Sequence, residues 1–492
     1  IKRGLEERGL VCSALITSGN ETGLNSADYI SYFAGRDDIR VIVCYQESVR
    51  DPKAFLAACR KARAAGKPVV VMKLGASDEG RHAAAAHTGR LAGSLDAFDA
   101  IAGAAGAIRV RNLDDVVEAV EYLVHAPLPA GDRVSAMTFS GGMRGLLLDC
   151  AHLNGLRFPD LAPKTLEKLE SILGVGTILG NPLDAGFTAL NSNTAYLECV
   201  KTLLADPNID IVMLQEEVPR HPGSDRKIAN LRAVNELAPN AGKPVVFMSM
   251  ISYGQTGYSH ALRKEFPNLA FMQEVDKTLR VTRSLATYGQ MSGGGRVSGL
   301  SATTAPASNA RGKALLERFA QPGGADSLDE VRSKQVLSAY GIVCPHEELC
   351  GTADEAAAAA GRIGFPVVAK VVCASIPHKS DIGGVITSLT DEAAVRKAFA
   401  SISGAVARLP TEQETGPVMD GVLIAEMVNG GVECVLGANR DPEVGPVIIF
   451  GSGGVDLELS PDIALSAPVF TETEALALVD RTRAGRLSQG YR

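Results

Sequence analysis

The chain is 492 residues long, 46% hydrophobic and 21% charged, with a formal net charge of −7. That length predicts about three domains, and the acidic balance implies no basic surface suited to nucleic acid at the level of the whole chain. No apolar run approaches the ~20 residues that a helix needs to cross a bilayer, and the nine cysteines lack zinc-site or C-x-x-C spacing, which reads as reduced thiols in a cytoplasmic protein.

The opening "IKRGLEERGL" has no initiator Met and no charged leader followed by an apolar core, so it reads as the inside of a helix rather than a signal peptide. Short β-rich apolar runs then alternate with alanine-rich helical stretches, the pattern of α/β layers with mostly parallel sheets. "CSALIT", "VIVCY", "KPVVVMKL" and "GAIRV" predict strands, and helices are expected at 52–65, 94–105 and 113–124. "HAPLPAGDR", with two prolines and a glycine, breaks the chain there.

The next segment repeats the plan. "RVSAMTF" predicts a strand and "SGGMRGLLLDCAHLNGL" a glycine loop opening a helix. The landmarks "GN", "IDIVMLQEEVPR" and "GKPVVFMSM" follow in the order of the earlier "GN", "IRVIVCYQESVR" and "GKPVVVMKL". Shared landmarks in one order point to an internal duplication. A duplicated plan in turn implies a strand and glycine loop that once preceded Ile1, so N-terminal sequence is expected to be missing.

Residues 291–325 are rich in Gly, Ser, Ala and Thr and read as a linker. Beyond them, "SLDEVRSKQVLSAYGI" predicts a helix with Ser327 as cap and Glu330 at capping-box spacing. "GFPVVAKVV", "GGVITSL", "GVLIAEMV", "VECVLGANR" and "GPVIIFGSGG" are strands with few helices between them, the makings of an antiparallel, nucleotide-clamping α+β domain. The expected division is 1–127, 128–290, a linker at 291–325, and 326–492.

Ligands of open α/β sheets collect beyond the carboxyl ends of the strands. Glu47 ends "VIVCY", and "RHAAAAHTGRLAG" follows "VVVMKL", so Glu47 and His87 can meet at one edge. A carboxylate there can hold one imidazole nitrogen and leave the other nucleophilic. Equally, Glu47 can simply start a helix where the dipole favours negative charge, and His87 can be a solvated histidine in an alanine-rich stretch. "SGGMRGLLLD" has the glycines and helix start of a phosphate cradle but is no Walker A loop. Lys370, ending "FPVVAK", needs a partner, and phosphates are one. His378, Lys379, Ser380 and Asp381 make a polar loop before a double glycine, Glu426 sits where a strand can meet an adenine edge, and Glu433 can reach ribose hydroxyls.

In order along the chain, these motifs resemble the NDP-forming acyl-CoA synthetases, relatives of succinyl-CoA synthetase. "AAAAHTGRLAG" is similar to the family's phosphohistidine loop, "YQESVRD" to the strand end whose glutamate supports it, and "TFSGGMRGLLL" and "GNPLD" to the phosphate-receiving helix start. "SKQVLSAYGI", "GFPVVAK", "PHKSDIGGV", "LIAEMVNGGVE" and "DPEVGPVIIFGSGG" look like its ATP-grasp module. The resemblance covers nearly the whole chain. It implies an α/β fold of two flavodoxin-like, succinyl-CoA synthetase-like parallel-sheet domains followed by an ATP-grasp α+β domain.

The activity it implies is ADP-forming ligation of a carboxylic acid to CoA, with ATP, Mg2+ and a phosphohistidine. His87 is the implied phosphoryl carrier and Glu47 its stabiliser. His378 is a second carrier or nucleotide-side partner, and Glu217, taken as the duplicate of Glu47, is a helper. Thr88, Gly89, Ser140, Gly141 and Gly142 are implied to bind phosphate, and Lys370, Lys379, Ser380, Asp381, Glu426 and Glu433 the nucleotide. A homo-oligomer, a dimer, is expected. The family's magnesium-ligating stretch lies past "RLSQGYR", so no metal ligand is placed. An inert module of the same fold, a protein-modifying acyltransferase fusion and an aromatic-acid ligase are the rival readings.

Overall fold

A computed structural model of the chain describes residues 1–75, 77, 79, 94–292, 309–319, 328–373, 379–409, 419–428, 430–454, 462–468 and 472–490. They fall into two compact units, Ile1–Leu300 with Glu433–Arg492, and Ser301–Val432. The stretch 326–492, expected as one domain, therefore contributes to both.

The first unit holds two parallel sheets. One runs β1 (Ile42–Gln46), β2 (Val69–Lys73), β3 (Ala107–Val110). The other contains β4 (Val134–Thr138), β5 (Leu183–Asp184), β6 (Ile211–Gln215), β7 (Val245–Ser249) and β8 (Ala270–Gln273), in the order β5-β4-β6-β7-β8. Helices cover these sheets, so the strands are near-continuous apolar runs rather than alternating ones; every residue of β4 and β7 is buried.

The repeated landmarks have matching structural jobs. In "GKP", the proline carbonyl begins each ladder: Ile42 donates to Pro68 O at 3.0 Å and Val212 to Pro244 O at 3.1 Å. The lysine before it ties down the preceding connection, Lys67 to the carbonyl of Ile39 and Lys243 to that of Asp206. The expected strand "CSALIT" does not form. Residues 10–18 carry no regular structure, and Val11, Leu15 and Ile16 are exposed. An apolar run becomes a strand only where a neighbour completes its hydrogen bonds, and among the described residues none pairs with it.

The two sheets meet across the helix Leu113–His125. Its residues Asp115, Glu118 and Glu121, three apart and therefore on one face, are at most 1% exposed. Each carboxylate finds a cation: Arg280 for Asp115, Arg8 and Lys277 for Glu118, Arg263 for Glu121. Glu121 also accepts from Phe271 N and Glu118 from Gln273 N, while Arg8 donates to Phe271 O. Side chains thus complete the free edge of β8 where a further strand would otherwise sit. Burial outweighs the cations at Glu118 and pushes its carboxyl above the ordinary range. Removing one partner from such a buried pair costs about 3–5 kcal/mol, because the other charge is stranded.

Residues 433–492 add an antiparallel sheet, β13 (Cys434–Asp441), β14 (Gly445–Ser452) and β15 (Ile463–Ser466). Val444 and Val447 pack into the same core as Phe55 and Phe98 of the first parallel sheet's helices.

The second unit is an antiparallel sheet of β9 (Glu347–Cys350), β10 (Val367–Val372), β11 (Val385–Leu389) and β12 (Gly421–Glu426), ordered β11-β10-β12-β9. Helices Ala353–Ile363 and Glu392–Val406 cover one face against Val367, Ala369 and Val371. Strand alternation turns Lys370 to the opposite face.

Two expectations change here. The predicted linker contains the helix Ala310–Phe319, started by the Asn309 carboxamide on Gly312 N. At Gly312 an added Cβ would lie 2.3 Å from the Tyr340 ring, so this helix is packed rather than free. The cap of helix Glu330–Ala339 is Asp329, which accepts from Arg332 N, whereas Ser327 lies outside the described residues. Glu330 uses its carboxylate elsewhere.

Candidate functional site

Glu330 is the centre of an ionic cluster on the open face of the second unit's sheet. Lys370 Nζ lies 2.9 Å from Glu330 Oε1, Lys379 Nζ 2.7 Å from Oε2, and Lys334 Nζ 2.9 Å from Oε1. Lys334 also bonds Glu347. Burial opposes the charge of Glu330, but bonds from Lys334, Lys379 and Lys370 prevail and hold its carboxyl well below the usual carboxylate range. Three ammoniums against two carboxylates leave the cluster net positive. Among the described residues, Lys370 and Lys379 each bond only Glu330. An ammonium has three donors, so both retain capacity for an anion.

The loop that carries Lys379 is shaped by its double glycine. Lys379–Ile382 is a 3-10 turn, Gly383 has φ +71°, and Gly384 N donates to Lys379 O at 2.8 Å. An added Cβ on Gly384 would come within 2.6 Å of Val371 and 2.8 Å of Lys379 O, so only glycine lets the loop fold back on β10. Asp381 is exposed on this turn, the backbone of Ser380 lies within it, and His378 is outside the described residues. Glu426 closes β12, and its carboxylate accepts from His346 N at 3.1 Å while its own N–H donates to His346 O at 2.8 Å. That side chain ties β12 to the segment before β9. Glu433 belongs to the first unit, where it is exposed and its carbonyl accepts from Gly453 N at 2.9 Å.

At the carboxyl edge of the first parallel sheet, Glu47 follows β1 directly and is half-buried. Lys73, the last residue of β2, donates to Glu47 O at 3.0 Å and to Leu74 O at 3.1 Å, and lies 3.2 Å from Glu443. His87, Thr88 and Gly89 lie outside the described residues. The described chain resumes at Ser94, which caps the helix Leu95–Ala104 and donates its own N–H to Asp441 at 2.7 Å.

In the second copy, helix Gly141–Asn154 starts at Ser140 with no side-chain cap and no acidic residue in its first turn. Ser140, Gly141 and Gly142 are exposed, which leaves first-turn N–H groups for an anion. The neighbouring Asn181 has a framework role: its amide donates to Val134 O and Pro159 O and accepts from Ala136 N, extending the ladder beside the two-residue β5. The ladder registers agree with one assignment. Ile42 and Val212 each pair with the first residue after "GKP", Val69 and Val245, so five residues on Glu217 is the counterpart of Glu47 and Glu216 that of Gln46. Glu216 pairs with Lys227 at 2.6 Å, and burial nevertheless pushes its carboxyl above the ordinary range.

Sequence reasoning missed Lys73, Glu443, Asp441, Lys334 and the site role of Glu330. The signal that singled out Lys370, a lysine in a buried apolar run, also marks Lys73 in "VVVMK"; Lys73 does end its strand, whereas Lys370, expected to end one, lies inside β10. Among the described residues no group of three or more His, Cys, Asp or Glu converges as metal ligands. No described helix is long and apolar enough to cross a membrane.

Residues 1–123 match the succinyl-CoA ligase-like flavodoxin domain and residues 320–492 the ATP-grasp domain. A trans-feruloyl-CoA synthase from an unknown prokaryotic organism is 32% identical over 99% of this chain and 66% of its own length. The ADP-forming acetate–CoA ligase I of Archaeoglobus fulgidus is 30% identical over 99% of this chain and 67% of its own. The ADP-forming 4-hydroxybutyrate–CoA ligase of Nitrosopumilus maritimus is 28% identical over the same shares. The chain thus spans about two thirds of the length of these curated relatives. Two parallel-sheet copies, an antiparallel nucleotide module and relatives aligned along nearly its whole length place the chain in the NDP-forming acyl-CoA synthetases, the family of ADP-forming acid–CoA ligases.

Proposed function

We propose that this chain converts a carboxylic acid, CoA and ATP into acyl-CoA, ADP and phosphate, with His87 as the phosphoryl carrier. An imidazole nitrogen of His87 takes the γ-phosphoryl group and ADP leaves. A carboxylate oxygen of the acid then takes the phosphoryl group from the ring. The CoA sulfur attacks the acyl carbon, and phosphate leaves with the bonding electrons. Phosphoryl transfer depends mainly on positioning and on neutralising charge. Lys370 and Lys379 meet the nucleotide phosphates, backed by Gly383 and Gly384. Ser140, Gly141 and Gly142 receive the anion at the second copy's helix start, and Glu47 orients His87. Mg2+ shares the phosphate charge when bound with the nucleotide; no residue is assigned to hold it.

The observation that carries this reading is the lysine pair on one depressed carboxylate. Glu330 holds two neighbouring lysine ammoniums side by side on the open face of an antiparallel sheet, and each has donors to spare. The relatives named for ferulate, acetate and 4-hydroxybutyrate share only the carboxylate as the reacting group. A monocarboxylic acid is therefore the proposed substrate class. The test is incubation with γ-labelled ATP. Acid-labile, base-stable label that vanishes in His87→Ala supports the reading, and label that persists in that variant refutes it. Thioester formation with acetate, 4-hydroxybutyrate and ferulate side by side then identifies the acid.

A further inference from the structure

We infer that Glu443, through a buried ion pair with Lys73, is a positioning residue for Glu47, set in place by the β13–β14 turn; this rests on the role proposed for Glu47.

The turn Asp441–Gly445 inserts two carboxylates into the carboxyl edge of the first parallel sheet. Glu443 Oε1 accepts from Val49 N at 2.6 Å, and its Oε2 lies 3.2 Å from Lys73 Nζ. Both side chains are only 2% exposed. Lys73 has three donors, and three acceptors surround it: Glu47 O, Leu74 O and Glu443. Leu74 N donates to Gln46 O at 2.9 Å. Residues 46, 47 and 49 are therefore anchored in succession, and two of the three anchors come from one ion pair. The short path between them carries Glu47.

Asp441 makes the turn rigid. Its Oδ1 accepts from Glu443 N and Val444 N at 2.8 and 2.9 Å, and its Oδ2 accepts from Ser94 N. The same turn thus grips both the Glu47 segment and the start of helix Leu95–Ala104. Val444, packed with Phe55 and Phe98, seats it by apolar contact as well.

Apolar seating alone would hold the turn in place. A buried pair is weak evidence of stability, since apolar replacements are often as good. What an apolar pair cannot do is hold the carbonyl of residue 47 and the N–H of residue 49 at once. Direction, not adhesion, is what the charges add here.

The experiment follows from that distinction. Glu443→Gln keeps an acceptor for Val49 N–H but strands the Lys73 charge, so both the thermal midpoint and the rate of phosphoenzyme formation should fall. The double variant Lys73→Met with Glu443→Leu removes both charges and should recover the midpoint to within a few degrees. Its phosphoenzyme rate should stay about tenfold or more below wild type, with KM for ATP within about twofold. Faster hydrogen exchange at the amides of residues 47–49 should accompany the loss. Recovery of the rate together with the midpoint would mean that the pair only stabilises, and the inference would fall. Glu443→Asp, which keeps the charge but withdraws it by one methylene, should lose rate without losing ATP affinity and serves if the double variant does not fold. Failure of the underlying reading shows separately, with the Lys73–Glu443 pair intact, as label that persists in His87→Ala or phosphoenzyme accumulation that is unchanged in Glu47→Gln.

Discussion

The two parallel sheets of the first unit end differently at the edge where chemistry is expected. In the first copy, β2 ends on buried Lys73, whose charge is met by Glu443 from a distant part of the chain. In the second, β7 ends on Ser249, which bonds the carbonyl of Ile251 two residues on. Glu47 follows β1 on a path held from outside its own sheet, whereas its counterpart Glu217 is held from within its own copy, its N–H donating to Glu216, which pairs with Lys227 on the next helix. One scaffold thus carries one edge that depends on a foreign turn and one that closes on itself. A duplicated fold diverges first in how its strand ends are satisfied, because the strands are fixed by burial.

Substitutions can break or sharpen that contrast. The largest effect is expected for His87→Ala, which should cut acyl-CoA formation on the order of 10³-fold or more, read as turnover beside loss of label. Glu47→Gln should lower phosphoenzyme accumulation by about ten- to a hundredfold, the range of one charge-assisted bond, with ATP affinity nearly unchanged. An equal loss of both would erase the assigned difference between the two edges. Lys370→Ala should weaken ATP binding by a comparable factor in a nucleotide titration, and unchanged binding would remove that lysine from the nucleotide site. Glu216→Gln should change turnover less than about threefold, because its charge is met within its own copy.

Acid titration gives the smallest effect. Glu330 is depressed in the folded state, so its contribution to stability is present above the ordinary glutamate pKa of about 4.3 and fades as pH falls below it. Glu216 is raised, so folding is less favoured as pH rises through that same range. Between pH 6 and pH 3, Glu330→Gln should therefore flatten the fall in the unfolding midpoint, and Glu216→Gln should steepen it. The reverse pair of slopes would contradict both environments.

The α/β plan was readable because buried strands and capped helices leave local signals. The helices expected at 52–65, 94–105 and 113–124 appear as Pro52–Ala64, Leu95–Ala104 and Leu113–His125. "CSALIT" carried the same apolar signal, but pairing is a non-local property that a single run does not encode. The helix Ala310–Phe319 was hidden in a stretch averaged as Gly- and Ser-rich. Lysines in buried strands could be seen, but not what they bond: Glu330 is 40 residues from Lys370 and Glu443 is 370 from Lys73. Glu217 was legible by aligning "IVCYQES" with "VMLQEEV", since "GKP" sets the same register in both copies.

The row of carboxylates on helix Leu113–His125 has a consequence for association. An uncovered border strand invites a second chain to add its own backbone. Glu118 and Glu121 occupy the N–H groups of Gln273 and Phe271, and Arg8 holds the Phe271 carbonyl. A foreign strand would have to displace charges already paired and buried. The protein thus guards β8 against sticky self-recognition with a helix, and a fragment cut after His125 would surrender that guard.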